Sequence, residues 1–127
     1  MLFLPYTFFL FACSSEEGVK ILNSTPVVSI TSHTDGALLL ETVEYSFFGQ
    51  VSDANHDNSE LEVKWTSNTR ELCSASPPDT NGETICAATL DATDTQIKLQ
   101  VTDPEGSSAL ASTVITSTAT GAGRAPT

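Results

Sequence analysis

Basic residues are scarce in this sequence: 5 Lys and Arg stand against 16 Asp and Glu, a formal charge of −11 over 127 residues. A chain this acidic repels phosphate backbones and anionic headgroups, so nucleic acid is not expected as a partner; cations, neutral sugars and basic protein surfaces suit it better. The same acidity also serves simply to keep an exported domain soluble. There is no apolar run long enough to cross a bilayer. The longest, MLFLPYTFFLFA from Met1 to Ala12, falls well short of the roughly 20 residues that a spanning helix requires. Cysteines number 3, and neither they nor the 2 histidines have the spacing of a zinc site. No GxSxG, HExxH, phosphate-binding loop or Cys–His signature is present. Asp53 and Asp57 imitate a glycosidase carboxylate pair, but such enzymes need a larger cleft than one small domain supplies. The chain reads as non-catalytic.

What the sequence does contain is a series of short alternating segments. Pro26 opens an apolar stretch, Val27 to Thr31, and Ala37 to Leu40 is a second, read as a strand or a crossing between sheets. Val43, Tyr45, Phe47, Gly49 and Val51 then alternate with mostly polar neighbours, the period of a half-buried strand. Phe48 breaks the polar side, and Gly49 marks a bulge or a close backbone approach. Leu61, Val63 and Trp65 face one way, and Glu60, Glu62 and Lys64 the other. Trp65 is the expected centre of the core, since no other side chain removes as much apolar area from water.

Further strands are expected at Glu71 to Ala75, Thr84 to Leu90, Gln96 to Val101 and Ser108 to Thr116. The signals at Pro77-Pro78-Asp79, Asn81-Gly82 and Asp103-Pro104-Glu105-Gly106 supply turns between them. No segment has a convincing helical period. About seven to eight short strands with regularly spaced turns predict an all-β, immunoglobulin-like β-sandwich of antiparallel strands over 26–116.

Two resemblances add to this reading. Leu10-Phe11-Ala12-Cys13 resembles the lipobox of a bacterial lipoprotein signal. That resemblance implies a signal peptide over 1–12, cleavage before Cys13, lipidation of Cys13, and a tether over 13–25. Ser14 in the following position is compatible with outer-membrane sorting. The implied location is the cell envelope, at the outer membrane or cell surface, with a membrane reached through acyl chains and no spanning helix. The departure from the pattern is that no Lys or Arg precedes the apolar run. An ordinary export signal is the alternative.

Phe47-Phe48-Gly49-Gln50-Val51-Ser52-Asp53 followed by Leu61-Glu62-Val63-Lys64-Trp65, with Ile97-Lys98-Leu99-Gln100-Val101-Thr102-Asp103 and Gly106, is similar to PKD-type and cadherin-like immunoglobulin-fold modules. Two features depart from those modules. Thr66-Ser67-Asn68 stands where a glycine–aspartate motif is usual, and no tyrosine precedes the penultimate strand around Thr95. The resemblance implies a spacer, adhesion or protein-binding module. Residues 117–127 read as a tail or an inter-domain linker.

Candidate sites follow from the loops. Asp53, Asn55 and Asp57 recur at alternate positions, and a sandwich brings Asp103 and Glu105 to the same end. Calcium takes six to eight oxygen ligands, so the five form a candidate calcium site; no other cofactor is required. The competing reading is a solvated acidic loop with Asp and Asn chosen for turn geometry. A calcium-dependent carbohydrate-binding or adhesion domain, or an accessory module of a larger secreted enzyme, are the alternative functions. A glycan partner would want exposed aromatics, for which only Phe48 and Tyr45 offer themselves. His33 and His56 are both expected as exposed loop residues. Cys73 and Cys86 flank the proline-rich turn and are expected to form a disulfide pinning a hairpin, since an exported domain favours oxidation.

Overall fold

The computed structural model describes residues 22–119. The signal-like segment 1–12, Cys13, the first part of the tether and the segment 120–127 lie outside the described residues. Eight strands form: β1 (Val27–Ile30), β2 (Ala37–Leu40), β3 (Glu44–Ser52), β4 (Glu62–Ser67), β5 (Glu71–Ser76), β6 (Glu83–Thr89), β7 (Gln96–Thr102) and β8 (Ser108–Thr118). A 3-10 turn, Asn58–Glu60, precedes β4. The strands assemble into a three-stranded sheet, β1-β3-β6, and a five-stranded sheet, β2-β8-β7-β4-β5. Seven to eight strands were expected, and eight are found among the described residues.

Neighbouring strands are antiparallel apart from one pair: β2 runs parallel to β8, with Ala37 beside Ile115 and Leu40 beside Thr118. The chain thus changes sheets between β1 and β2, as the second reading of Ala37 to Leu40 proposed. The turn residues make the change possible. Gly36 adopts φ 91°, which L side chains resist, and the neighbouring Asp35 carboxylate accepts the Val114 backbone N–H at 2.9 Å. β8 extends through Thr118, two residues past the expected strand end.

The inward residues of every strand meet in one core. Phe47 and Val51 come from β3, Val63 and Trp65 from β4, Cys86 and Ala88 from β6, and Ile97, Leu99 and Val101 from β7. Trp65 is 1% exposed, and its indole N–H donates to Thr84 Oγ1 at 2.9 Å. The ring belongs to the five-stranded sheet and Thr84 to the edge of the other, so the side chain crosses the whole interlayer. Burying this one ring is worth roughly 5 kcal/mol of gross transfer free energy. The hydrogen bond removes the cost of sealing its donor from water.

Gly49 is the close approach that its place in the sequence suggested. A Cβ there would collide with Leu99 and would stand 3.2 Å from the Trp65 ring. His33 differs from expectation. It is half-buried, its ring centroid 4.8 Å from that of Phe47, with Ser32 Oγ 2.7 Å from Nδ1. Burial lowers its pKa below the ordinary histidine value.

Cys73 and Cys86 are bonded, with Cα atoms 6.0 Å apart. The bond does not pin a hairpin, however. β5 and β6 are the edges of different sheets, so it ties the two layers together along one margin. Sandwich layers ordinarily lie about 10 Å apart, and at this margin the backbones are drawn closer. On the chain-entropy view a loop of this size contributes about 3 kcal/mol. In register, Cys73 stands opposite Trp65 and Cys86 opposite Phe47. The two rings are themselves 6.2 Å apart, so the disulfide closes a circuit around the core aromatics.

Replacing Gly49 with Ala is expected to destabilise the domain by about 1–3 kcal/mol through overpacking against Leu99 and Trp65. Urea unfolding followed by tryptophan fluorescence measures it, and an unchanged midpoint would contradict the packing described.

Candidate functional site

The loop 53–61 between β3 and β4 and the turn 103–107 between β7 and β8 lie side by side at one end of the sandwich. Each is built around an aspartate at its strand end. Asp103 Oδ1 accepts the backbone N–H groups of Glu105 at 2.9 Å and Ser107 at 3.0 Å, which folds the turn around the carboxylate. Gly106 completes that turn at φ 94°. Asp53 Oδ1 accepts the Asn55 N–H at 2.7 Å in the same manner. Both aspartate side chains are 0% exposed.

His56 lies between them. Its Nδ1 is 3.3 Å from Asp53 Oδ1 and 4.0 Å from Asp103 Oδ2, and its Nε2 is 3.2 Å from Glu105 Oε2. The expectation of an exposed loop histidine is therefore corrected: its side chain is only 12% exposed. The segment before β1 closes the corner from the other side. Asn23 Nδ2 donates to Asp103 Oδ2 at 2.8 Å and to Ser107 Oγ at 3.0 Å. The Ser24 N–H donates to Asn55 Oδ1. What read as the end of a tether is docked onto the domain.

Of the five expected calcium ligands, the structure brings Asp53, Asp103 and Glu105 around His56. Asn55 is occupied with Ser24, and Asp57 begins the 3-10 turn, where its backbone N–H donates to Glu60 Oε1 at 3.3 Å. Donor atoms of Asp53, His56 and Asp103 lie within 4.8 Å of one another. Two oxygens in this region, Asp53 Oδ2 and Asn23 Oδ1, are buried and accept no hydrogen bond. The sequence reading missed His56 and Asn23. His56 follows Asp53 by three residues, which is a legible local signal. Asn23 is 80 residues from Asp103, and only the fold brings them together.

Electrostatics follow from this geometry. Partial burial works against charge on His56, but the hydrogen bond to Asp53 and the charges of Asp53, Asp103 and Glu105 outweigh it and raise its pKa. For Asp103, burial works the opposite way to its partners. The hydrogen bonds from Asn23, Ser107 and Glu105, with the nearby His56, hold its carboxyl below the usual range.

The opposite end of the sandwich has a buried acid of its own. Asp94, 0% exposed, accepts Thr69 Oγ1 at 3.0 Å, the Asp91 N–H at 2.9 Å and the Arg70 guanidinium at 2.7 Å. Asn68 Oδ1 takes the N–H groups of Thr95 and Gln96. These contacts close the corner before β7. Both Asp94 oxygens are satisfied, so this end is a structural fastening.

No known protein family matches the sequence, and no curated protein does either. Solved structures do match in shape. Titin domain M7 superposes with TM-score 0.53 at 13% identity, covering 78% of this chain and 99% of that one. Titin M4 gives 0.51 at 20% identity, covering 77% and 100%. The complex of titin M10 with an obscurin-like 1 Ig mutant gives 0.52 at 15% identity, covering 78% and 98%. The fold is immunoglobulin-like. These likenesses extend to the sandwich and not to the PKD-type or cadherin-like subtype that the stretch from Phe47 to Trp65 resembles.

The raised pKa of His56 has a consequence for stability. Its protonated form makes both hydrogen bonds at once, to Asp53 and to Glu105. The stabilisation is fully present below the unfolded-state value of about 6.5 and is lost as pH rises through the higher folded-state value. In chelator-treated protein, stability is expected to fall as pH rises across that window, and His56→Gln to flatten the slope. Urea midpoints measured across the pH range check this.

Proposed function

We propose that this domain is a non-catalytic immunoglobulin-like module of a cell-envelope lipoprotein, anchored through Cys13 and presenting a surface that binds another protein. The observation that carries the binding half is a stripe of exposed apolar side chains, interrupted by Ser112 and Thr116, on the outward face of the five-stranded sheet. Leu38 and Leu40 on β2, with Leu110 and Val114 on β8, point to solvent, Leu38 being 68% exposed and Leu110 59%. Apolar side chains grouped on one face mark interaction surfaces more often than singly scattered ones do. Gln96, Lys98 and Gln100 of β7 lie beside β8 and give the stripe a polar border, the usual arrangement of core and rim. Titin M10 was solved in complex with an obscurin-like 1 Ig domain, and titin Z1Z2 in complex with telethonin. Those partners belong to those proteins; they illustrate that this architecture serves protein binding.

A glycan partner is less well supported. The four aromatic side chains in the described residues are Tyr45, Phe47, Phe48 and Trp65, and none is fully exposed. The Tyr45 hydroxyl is engaged with the Leu40 N–H at 2.9 Å, and Phe48 alone faces outward. The anchoring half rests on the sequence resemblance at Leu10 to Cys13. A diacylated or triacylated cysteine would hold the protein at a membrane, at about 0.8 kcal/mol per buried methylene.

Two experiments test this reading. A photoreactive phenylalanine analogue at Leu110 or Val114 should trap a discrete protein partner in intact cells, and one at Ser29 on the other sheet should not. Equal labelling from both faces would remove the case for the stripe. In the full-length protein, Cys13→Ser should abolish fatty-acid labelling and shift the protein from the membrane to the soluble fraction. Persistent labelling would disprove lipidation at that thiol.

A further inference from the structure

We propose that the corner formed by Asp53, His56 and Asp103 is a binding site for one divalent cation of the zinc type, ligated by the His56 Nδ1 and the two aspartate carboxylates. The donor set points to this class of ion. Calcium takes oxygen ligands, whereas an imidazole nitrogen with carboxylates suits zinc and its neighbours. Ligand atoms around a tetrahedral zinc stand about 3.4 Å apart, given bonds of about 2.0–2.2 Å. Here the histidine nitrogen is 3.3 Å from Asp53 Oδ1 and 4.0 Å from Asp103 Oδ2, and the whole group lies within 4.8 Å. A contraction of an ångström or less per side chain closes the site.

The surroundings prepare these side chains for a metal. Glu105 Oε2 stands 3.2 Å from His56 Nε2, so with a metal on Nδ1 the remaining ring proton, on Nε2, is donated to that carboxylate. A carboxylate behind a histidine ligand is the common second partner of metal-bound imidazole. The Oδ1 atoms of both aspartates are held by backbone N–H groups, which fixes the carboxylates in place.

The independent observation is the pair of orphaned oxygens. Asp53 Oδ2 belongs to a carboxylate with no solvent exposure and accepts no hydrogen bond. Leaving such a buried acceptor unsatisfied is costly, and a cation satisfies it. Asn23 Oδ1 is buried and unpartnered in the same way, on an amide whose nitrogen already touches Asp103 Oδ2. No lysine or arginine forms an ion pair with these carboxylates among the described residues; the ion pairs of Lys64 and Arg70 are with Glu71 and Asp94. Binding would join the segment before β1, the loop after β3 and the turn after β7 through one atom. The inference does not depend on the proposed anchor or on a protein partner.

The test uses the full chain carrying Cys13→Ser, so that no free thiol competes. After chelation and desalting, zinc chloride is titrated by calorimetry and its effect on thermal melting recorded, with calcium chloride in parallel. One equivalent of zinc should bind and raise the melting temperature. Asp53→Asn and His56→Gln should each abolish saturable binding, and His33→Gln should leave it intact. Glu105→Gln should weaken it about tenfold, the effect expected of a partner behind the ligand. Absence of stoichiometric zinc binding would overturn the proposal. So would binding that survives both Asp53→Asn and His56→Gln, or stabilisation by calcium alone.

Discussion

The indole of Trp65 sets the distance between the two sheets. It leaves β4 in one layer, passes the bare backbone of Gly49 in the other, and ends on the hydroxyl of Thr84. Each contact constrains a different residue. Gly49 cannot carry a side chain because Leu99 and the ring occupy that space, and Thr84 must supply an acceptor because the indole N–H has no water within reach. The disulfide adds a covalent tie on the same side of the core, its two cysteines each in register with one of the two core aromatics, Trp65 and Phe47. The middle of the domain is thus fastened by shape, by one hydrogen bond and by one covalent link.

The two ends of the sandwich handle buried acid differently. At one end Asp94 has Arg70, Thr69 and the Asp91 N–H, and neither of its oxygens lacks a partner. At the other, Asp53 and Asp103 converge on a single histidine, with two oxygens left unsatisfied nearby. Buried carboxylates favour an arrangement in which charge and lone pairs are both matched. The first corner reaches it with the residues it has, and the second leaves Asp53 Oδ2 and Asn23 Oδ1 without a partner.

Much of the fold was legible because alternation with period two is a local signal. Gln96 to Val101 and Leu61 to Trp65 state their faces outright, and the structure places those faces as read. Gly49 was legible for the same reason, as a break in an otherwise large-residue strand. The layer that each strand joins was harder to read. Cys73 and Cys86 flank a tight turn, which suggests a hairpin, but β5 pairs with β4 and β6 with β3. Short connections do not reveal whether the chain turns back within one sheet or passes to the other. The loop was legible only in part. Alternate positions share a face only in extended strand, and Asp53, Asn55 and Asp57 lie in a loop, so their side chains diverge. His56, out of step with that alternation, is the residue that joins Asp53. Asn23 gave no signal at all, since its partner lies at the far end of the chain.

The parallel pairing of β2 with β8 has a mechanical consequence. The described chain enters at the end that holds Asp103 and leaves past Thr118 at the opposite end. Tension between those two points loads β1 against β3 first, and β2 against β8 in opposite directions through the connection from β1. Their backbone bonds then share the load together in shear and do not open one after another like a zip.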